Sequence, residues 1–301
     1  MFDYEYWGYK AFPGATNMAL EEYMLKKAAK TKKAMIRFYS FPKDTIVLGY
    51  AQATDVLKNV NDVNIVRRAT GGSHVQTGKN VLAYSFVAPR DSFRNFEDMR
   101  SYYSEYIKNA FLKLGIENVE VDNRASSVNV NNKVAAAHAM IWGVESGLLH
   151  GLIILEPYDM EKLAKRITLN TRVIGGKVYS DYDAIKNIPT MINILPNLTK
   201  NTQDKTEAIR EILQQTILNE ITKGKHKSMN VTDEIIKKSY PLLEKRYGKQ
   251  IWTKEHDPVF TKDEIDIIPG EKLNGKLKKN LGYCMFLQVD DTKFKKMASK
   301  E

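Results

Sequence analysis

Sulfur chemistry is nearly missing from this chain: 301 residues contain one cysteine, Cys284, close to the C-terminus. A lone thiol excludes an intrachain disulfide, a cysteine zinc cage and a Cys-Cys redox pair, and it fits a reducing compartment. Long apolar runs are missing as well. Leu152 to Leu155 and Ile46 to Leu48 fall far short of the ~20 residues that cross a bilayer, so no membrane span is expected. The opening residues Phe2, Asp3, Tyr4 and Glu5 lack the basic-then-apolar order of an export signal, which predicts a cytoplasmic location. No internal repeat is found. Hydrophobic residues at 43% and charged residues at 27% are ordinary globular usage, which excludes a collagen-like or disordered chain.

Acid is scarce relative to base. Asp+Glu number 36 against 46 Lys+Arg, a net charge of +10 that favours an acidic partner. The lysines are spread over several segments and the tail rather than gathered beside aromatics, which argues for a solvated face and against a nucleic-acid module.

Along the chain, Met1 to Tyr9 alternates aromatic and polar groups as a strand, and Pro13-Gly14 marks a turn. Thr16 is placed to cap a helix carrying Leu20, Met24 and Ala28 at four-residue spacing. Strands are expected at Ala34 to Tyr39, Thr45 to Gly49, Val63 to Arg67 and Val81 to Val87. Tyr103, Ile107, Phe111 and Leu114 mark an amphipathic helix, and Ser127 to Val130 with Val134 to Ala139 read as a hairpin around Asn131-Asn132. Leu148 to Leu155 ends the β-rich part, and a short helix follows Pro157.

From Asp204, a capping residue, helices take over: Ile209, Leu213, Ile217 and Ile221 form one stripe and Ile236, Tyr240 and Leu243 a second. The fold class is α+β, a mainly antiparallel sheet with packed helices and a helical C-terminal part. The expected division is a catalytic domain over 1–261 and a short lysine-rich extension over 262–301, with a strand at Tyr283 to Val289.

Three segments can carry chemistry. Arg67-Arg68-Ala69-Thr70-Gly71-Gly72-Ser73-His74-Val75 follows a β-rich run; paired glycines let backbone N–H groups approach an anion, and arginine offers paired donors to phosphate. Lys133 projects from the predicted hairpin ahead of the small residues Val134 to Ala137, with room for a ligand whose developing charge it would hold. His150-Gly151 interrupts an apolar strand with a polar group and a vacant side-chain position. Each has a plainer reading, respectively a turn, a surface lysine and a satisfied core histidine. His74, His138 and His150 show no paired metal-ligand spacing, so no metal site is assigned.

Taken in order, these segments resemble the lipoate-protein ligase A family, within the biotin and lipoate protein ligase superfamily. Asn17-Met18-Ala19-Leu20-Glu21-Glu22 resembles its opening helix, and Arg37-Phe38-Tyr39, Pro42 and Val47 to Gln52 resemble its paired strands. The likeness extends to about Leu195. It implies a biotin/lipoate ligase-like catalytic domain in which lipoate attacks ATP, with Mg2+, to give lipoyl-AMP. A lysine of an acidic lipoyl domain or H protein then takes the acyl group. On this likeness Lys133 is the catalytic lysine. Arg67, Arg68, Gly71, Gly72, Ser73, His74, Val75, Lys133, His150 and Gly151 are the residues expected to hold nucleotide and acid.

The chain departs from the family where Ser73 and His74 replace a third glycine and an alanine. It departs again at Gln76 to Gly78, at Ser126 or Ser127, and at Ala135 to Ala137, where a glycine is expected. The stretch after Asp204 is short for the accessory domain of fused ligases, so a separate accessory subunit is among the partners implied. Two rivals stand beside this reading: an ATP-independent octanoyl or lipoyl transferase, and a non-catalytic basic binding protein. Biotin ligation is weaker, because the Gly-Arg-rich loop it would need is absent.

Overall fold

The computed structural model describes residues 2–123, 125–174, 177–199 and 202–255. The predicted extension over 262–301, its strand at Tyr283 to Val289 and Cys284 lie outside the described residues. The strands are β1 (Tyr4–Ala11), β2 (Ala34–Ser40), β3 (Thr45–Leu48), β4 (Asn64–Arg67), β5 (Val75–Thr77), β6 (Val81–Pro89), β7 (Val119–Asp122), β8 (Ser127–Val130), β9 (Lys133–Trp142), β10 (Ser146–Ile154), β11 (Thr171–Ile174), β12 (Lys177–Ser180) and β13 (His226–Ser228). The helices are α1 (Gly14–Thr31), α2 (Phe96–Lys113), α3 (Met160–Arg166), α4 (Asp181–Lys186), α5 (Met191–Ile194), α6 (Lys205–Thr222), α7 (Asp233–Leu242) and α8 (Gln250–Glu255).

Eight strands form one sheet in the order β13-β1-β2-β6-β10-β9-β8-β7, and β4-β3-β5 form a smaller sheet beside it. Pairing is mainly antiparallel, as expected; β1 with β2, β1 with β13 and β3 with β4 are parallel. Period-two alternation divides the large sheet into two buried faces. One face packs Val81, Ala83, Leu148 and Leu152 against α1, the small sheet and the C-terminal residues Tyr247 and Trp252. The other packs Leu82, Tyr84, Leu149 and Ile153 against α2 and α6. Among the described residues no helix is long and apolar enough to cross a membrane.

The two asparagines of the β8–β9 hairpin, Asn131 and Asn132, have φ of 50° and 61°. Two consecutive left-handed residues are what a two-residue hairpin turn requires, and asparagine tolerates them. Asp204 caps α6 by accepting from the Glu207 N–H at 3.0 Å, as its position in the sequence predicts.

Three expectations change. α1 starts at Gly14 with Pro13 at the cap position, so Thr16 is a helical residue and not the cap. At α7 the fully buried positions are Ile235, Ser239 and Leu242; of the predicted stripe Ile236 and Leu243 are half-buried and pack against the core, whereas Tyr240 is exposed. The inward position beside Tyr240 is taken by the small Ser239, which leaves the tyrosine ring outside. Finally, the C-terminal part is not helical alone, because β13 pairs with β1 as an edge strand of the main sheet.

Candidate active site

On the α1 face of the large sheet lies a narrow slot between that sheet, α1 and the small sheet. Met18, Tyr39, Phe41, Val47, Val75, Ala83 and Leu152 form its apolar walls, with Arg68 and His150 at its polar part. Ala137 and Ala139 face it from β9; His138 and Gly151 border it. The free volume is about 50 Å³, room for a water or two, well below the ~300 Å³ or more of ordinary ligand pockets.

A buried polar row crosses the slot. Arg68 Nε donates to Thr70 Oγ1 at 2.9 Å, and Thr70 Oγ1 lies 2.6 Å from His150 Nε2. On the other side of the ring His150 Nδ1 is 2.8 Å from Glu21 Oε1, which also accepts from Tyr39 Oη at 2.7 Å and Ser85 Oγ at 2.6 Å. A carboxylate surrounded by donors orients the ring: Nδ1 donates to Glu21, and Nε2 meets the Thr70 hydroxyl. Burial pushes the Glu21 carboxyl up, but His150, Ser85 and Tyr39 together hold it below its ordinary value. The row joins the glycine loop, β10 and α1, three elements distant in sequence.

The loop owes its shape to close backbone approach. A Cβ on Gly49 would stand 1.7 Å from the Gly72 carbonyl oxygen, so only glycine lets the two turns nest. Gly72 itself has φ of +86°. At exposed Gly71 a Cβ would meet nothing within 4 Å, so this position faces open space. Arg68 spans the loop from inside, donating to the carbonyls of Val47, Gly71 and Ser73 at 3.2, 2.6 and 2.8 Å.

The other predicted residues take different places. Arg67, expected to grip phosphate, is fully buried, and each of its three nitrogens donates to backbone carbonyls, those of Gly49, Tyr50, Gln52, Trp252 and Thr253. Burial, then the neighbouring Arg68, lowers its pKa to about 10, still far above neutrality. His74 is buried with Nδ1 2.8 Å from Gln52 Nε2; burial and then Arg68 push its pKa down to about 3, which keeps it neutral. Ser73 is buried, and Val75 opens β5 as part of the slot wall.

Gly151 does not leave its space to a ligand. A Cβ there would come within 2.4 Å of Tyr84 Oη and 2.3 Å of the Ala137 carbonyl, so the tyrosine hydroxyl fills the position on the α2 face. The expectation of ligand space at this glycine came from the strand pattern, which does not reveal the cross-strand neighbour.

Lys133 is the first residue of β9 and is exposed. It pairs with Val130, which belongs to the α2-side core, and it stands four residues, about 13 Å of strand, before Ala137. The structure thus brings Arg68, Thr70 and His150 together and leaves Lys133 outside the slot lining.

His138, which lies on the α2 side, places Nδ1 3.2 Å from Ser104 Oγ and is unrelated in position to His74. Among the described residues no group of three or more His, Cys, Asp or Glu side chains could hold a metal ion.

Sequence reasoning passed over Glu21 as a site residue, and Thr70 and Gln52 with it. A signal for Glu21 existed: Met18, Glu21, Leu25 and Ala28 recur at helical spacing, which puts the carboxylate on the buried stripe of α1. A charged residue on such a stripe calls for a buried partner.

The family model described as the lipoyl protein ligase A/B catalytic domain matches residues 13–216. Lipoate–protein ligase 1 of Staphylococcus aureus is 25% identical over 254 residues, covering 81% of this chain and 71% of that protein. Octanoyltransferase LipM of Carboxydothermus hydrogenoformans is 29% identical over 133 residues, 42% of this chain and 48% of that protein. Among solved structures, a lipoate-protein ligase A bound with ATP superposes with a TM-score of 0.64 at 15% identity, covering 84% of this chain and 99% of that one. That likeness shows the fold.

Proposed function

The chain belongs to the lipoyl protein ligase A/B catalytic family, and on that premise we propose that it is an ATP-dependent lipoate–protein ligase. The observation that carries the reading is the buried row Arg68–Thr70–His150–Glu21, which ties the glycine loop to the strand beside one apolar slot. An acid of this class needs both parts: a narrow apolar channel for its chain and a preorganised polar region where its carboxylate reacts. Support for ATP comes from the relative solved with that nucleotide, and support for the acyl class from the Staphylococcus aureus ligase.

In the first step a lipoate carboxylate oxygen attacks the α-phosphorus of ATP; the C–O–P anhydride forms and the bond to pyrophosphate breaks. In the second, the lysine amine of an acceptor attacks the acyl carbon; the amide forms, AMP leaves and the amine gives up a proton. Gly71 and Gly72, at the open tip of the loop, would offer backbone N–H groups to the phosphate. Lys133, by the family resemblance, would approach the acyl phosphate and offset its charge. Arg68 and His150 would hold the loop and the strand in register while both steps proceed. Magnesium would arrive with ATP; the described residues offer no cluster of their own for it, and no step is assigned to a protein-held metal. The +10 charge suits an acidic lipoyl domain or H protein as acceptor, and a separate accessory subunit remains part of the proposal.

Purified protein with lipoate and ATP is expected to exchange labelled pyrophosphate, and Lys133→Ala to lower that exchange at least tenfold, about 1.4 kcal/mol of transition-state stabilisation. Unchanged exchange in that variant would remove Lys133 from the chemistry. The similarity to the octanoyltransferase supports a second reading, acyl transfer between carrier proteins without nucleotide. Versions that need a nearby cysteine nucleophile are disfavoured, because the chain's one cysteine lies far beyond the matched residues. Transfer from an octanoylated carrier in the absence of ATP would favour this second reading.

A further inference from the structure

We propose that the C-terminal segment Leu243–Glu255 is a working part of the slot, and that Arg67 and Trp252 are positioning residues through which it sets the glycine loop. Two clasps carry this inference. In the first, the carbonyls of Trp252 and Thr253 accept from Arg67 Nε at 3.1 and 3.2 Å, and Thr253 O also accepts from Nη2 at 2.8 Å. The indole Nε1 of Trp252 donates back to the Arg67 carbonyl at 2.9 Å, so the residue is held at both its backbone and its guanidinium.

Arg67 Nη1 then grips the carbonyls of Gly49, Tyr50 and Gln52 at 2.7, 3.0 and 2.6 Å. Those residues set the glycine loop directly. Gly49 is the residue against which the Gly72 carbonyl packs, and Gln52 accepts from the Gly49 N–H at 3.3 Å while its Nε2 meets His74. A continuous series of hydrogen bonds and close contacts therefore runs from α8 through Arg67 to the turn over Gly49 to Gln52 and on to Gly72 and His74.

The second clasp acts on α1. Glu22 Oε2 accepts from Tyr247 Oη at 2.7 Å and from Arg246 Nη1, all three residues being buried. Glu22 adjoins Glu21, the carboxylate that holds His150. Both polar halves of the slot, the loop and the histidine, are thus referenced to one C-terminal segment. That segment lies beyond residue 216, where the family match ends. Arginine is required at position 67 because a planar fork can serve five carbonyls at once, whereas a lysine ammonium has three donors on one atom.

The kinetic arm of the test rests on the acyl-adenylate reading; the exchange arm does not. Arg67→Lys, Trp252→Phe and the double variant would be compared in pyrophosphate exchange and in amide hydrogen exchange read by mass spectrometry. The expected result for Arg67→Lys is a fall of at least tenfold in kcat with KM for ATP changed less than threefold. Trp252→Phe, the milder change, should lower kcat about threefold, and the double variant should be no worse than Arg67→Lys alone, since both break one chain of contacts. In each variant, hydrogen exchange should rise at residues 49–52 and 70–74 and stay unchanged in β6 and β10.

A raised KM for ATP with kcat intact in Arg67→Lys, and a parental Trp252→Phe, would place Arg67 on the phosphate and overturn the inference. Additive losses in the double variant, or loop exchange equal to the parent, would overturn it equally. If the parent itself exchanges no pyrophosphate, the function reading fails, and loop protection still decides whether the clasp exists.

Discussion

Replacing Glu21 with glutamine isolates the charge in the buried row while leaving its shape almost unchanged. In the parent, the carboxylate accepts from Tyr39 Oη, Ser85 Oγ and His150 Nδ1. Glutamine offers one oxygen and an NH2 group, so either the NH2 faces the His150 N–H, donor against donor, or it faces the two hydroxyls. Losing a hydrogen bond to a charged acceptor costs about 1.5–3 kcal/mol, and a buried donor left without a partner adds about 1–3 kcal/mol. Serine and tyrosine hydroxyls can rotate to recover part of this, so the expected loss at pH 7 is about 3 kcal/mol, a melting temperature lower by roughly 5 °C for a chain of this size.

The difference has a signed pH dependence. Glu21 has a depressed pKa in the folded protein, so its charge stabilises the fold above the unfolded glutamate pKa, near ~4.3, and that contribution is lost as pH falls through the lower, folded value. The gap between parent and Glu21→Gln should therefore be full above pH ~5 and close in stronger acid. Groups that do not touch Glu21, His74 among them, act on both proteins and cancel. Melting curves by circular dichroism across pH 3–8 provide the assay. A variant melting within about 2 °C of the parent at pH 7, or a gap that persists undiminished in acid, would refute the assignment of Glu21 as the charged anchor of His150.

Glycine positions separate sterics from openness: Gly49→Ala should disturb the loop and cut acyl transfer at least tenfold, about 1.4 kcal/mol, because its Cβ would meet the Gly72 carbonyl at 1.7 Å, whereas Gly71→Ala should melt like the parent. Gly151→Ala should cost several kcal/mol, on the order of other overpacked core positions, because the 2.3 Å neighbour is backbone; calorimetry would measure it. His138 is pushed down to about 3 by burial, then by Arg100 and His150, so the folded state resists its protonation and stability should fall as pH drops below the ordinary ~6.5. His138→Asn should make the acid limb of stability against pH shallower by about 1.4 kcal/mol per pH unit between pH ~6 and ~4; an unchanged slope would show that the ring is not held neutral.

Much of this arrangement is legible before any coordinates. The hairpin around Asn131 and Asn132, the strand through His150 and the cap at Asp204 all follow from local rules, since alternation, turn chemistry and capping are set by residues near one another. The identity of the segments was also legible, because their order along the chain carries information that a single glycine pair does not. What the sequence could not display is partnership across distance. Arg67 reads like a phosphate ligand because arginine beside glycine fits one, yet it is taken up by backbone carbonyls, two of them at residues 252 and 253, a separation no local rule reaches.

Gly151 is the same case in a sheet: whether a missing side chain admits a ligand or a neighbouring tyrosine depends on register with β6. His138 and His150 are alike in composition and opposite in face, one against Ser104 and the other against Glu21, because strand parity decides which core a side chain enters.

The central claim, that the slot joined by Arg68, Thr70, His150 and Glu21 activates a lipoate-class acid for transfer to a protein lysine, is tested most directly by intact mass. A lipoyl domain incubated with the protein, lipoic acid and ATP should gain one lipoyl group, should gain none when ATP is omitted, and should gain far less with Glu21→Gln. Modification that proceeds from an acylated carrier without nucleotide, or an acceptor that stays unmodified under every condition, would contradict the account.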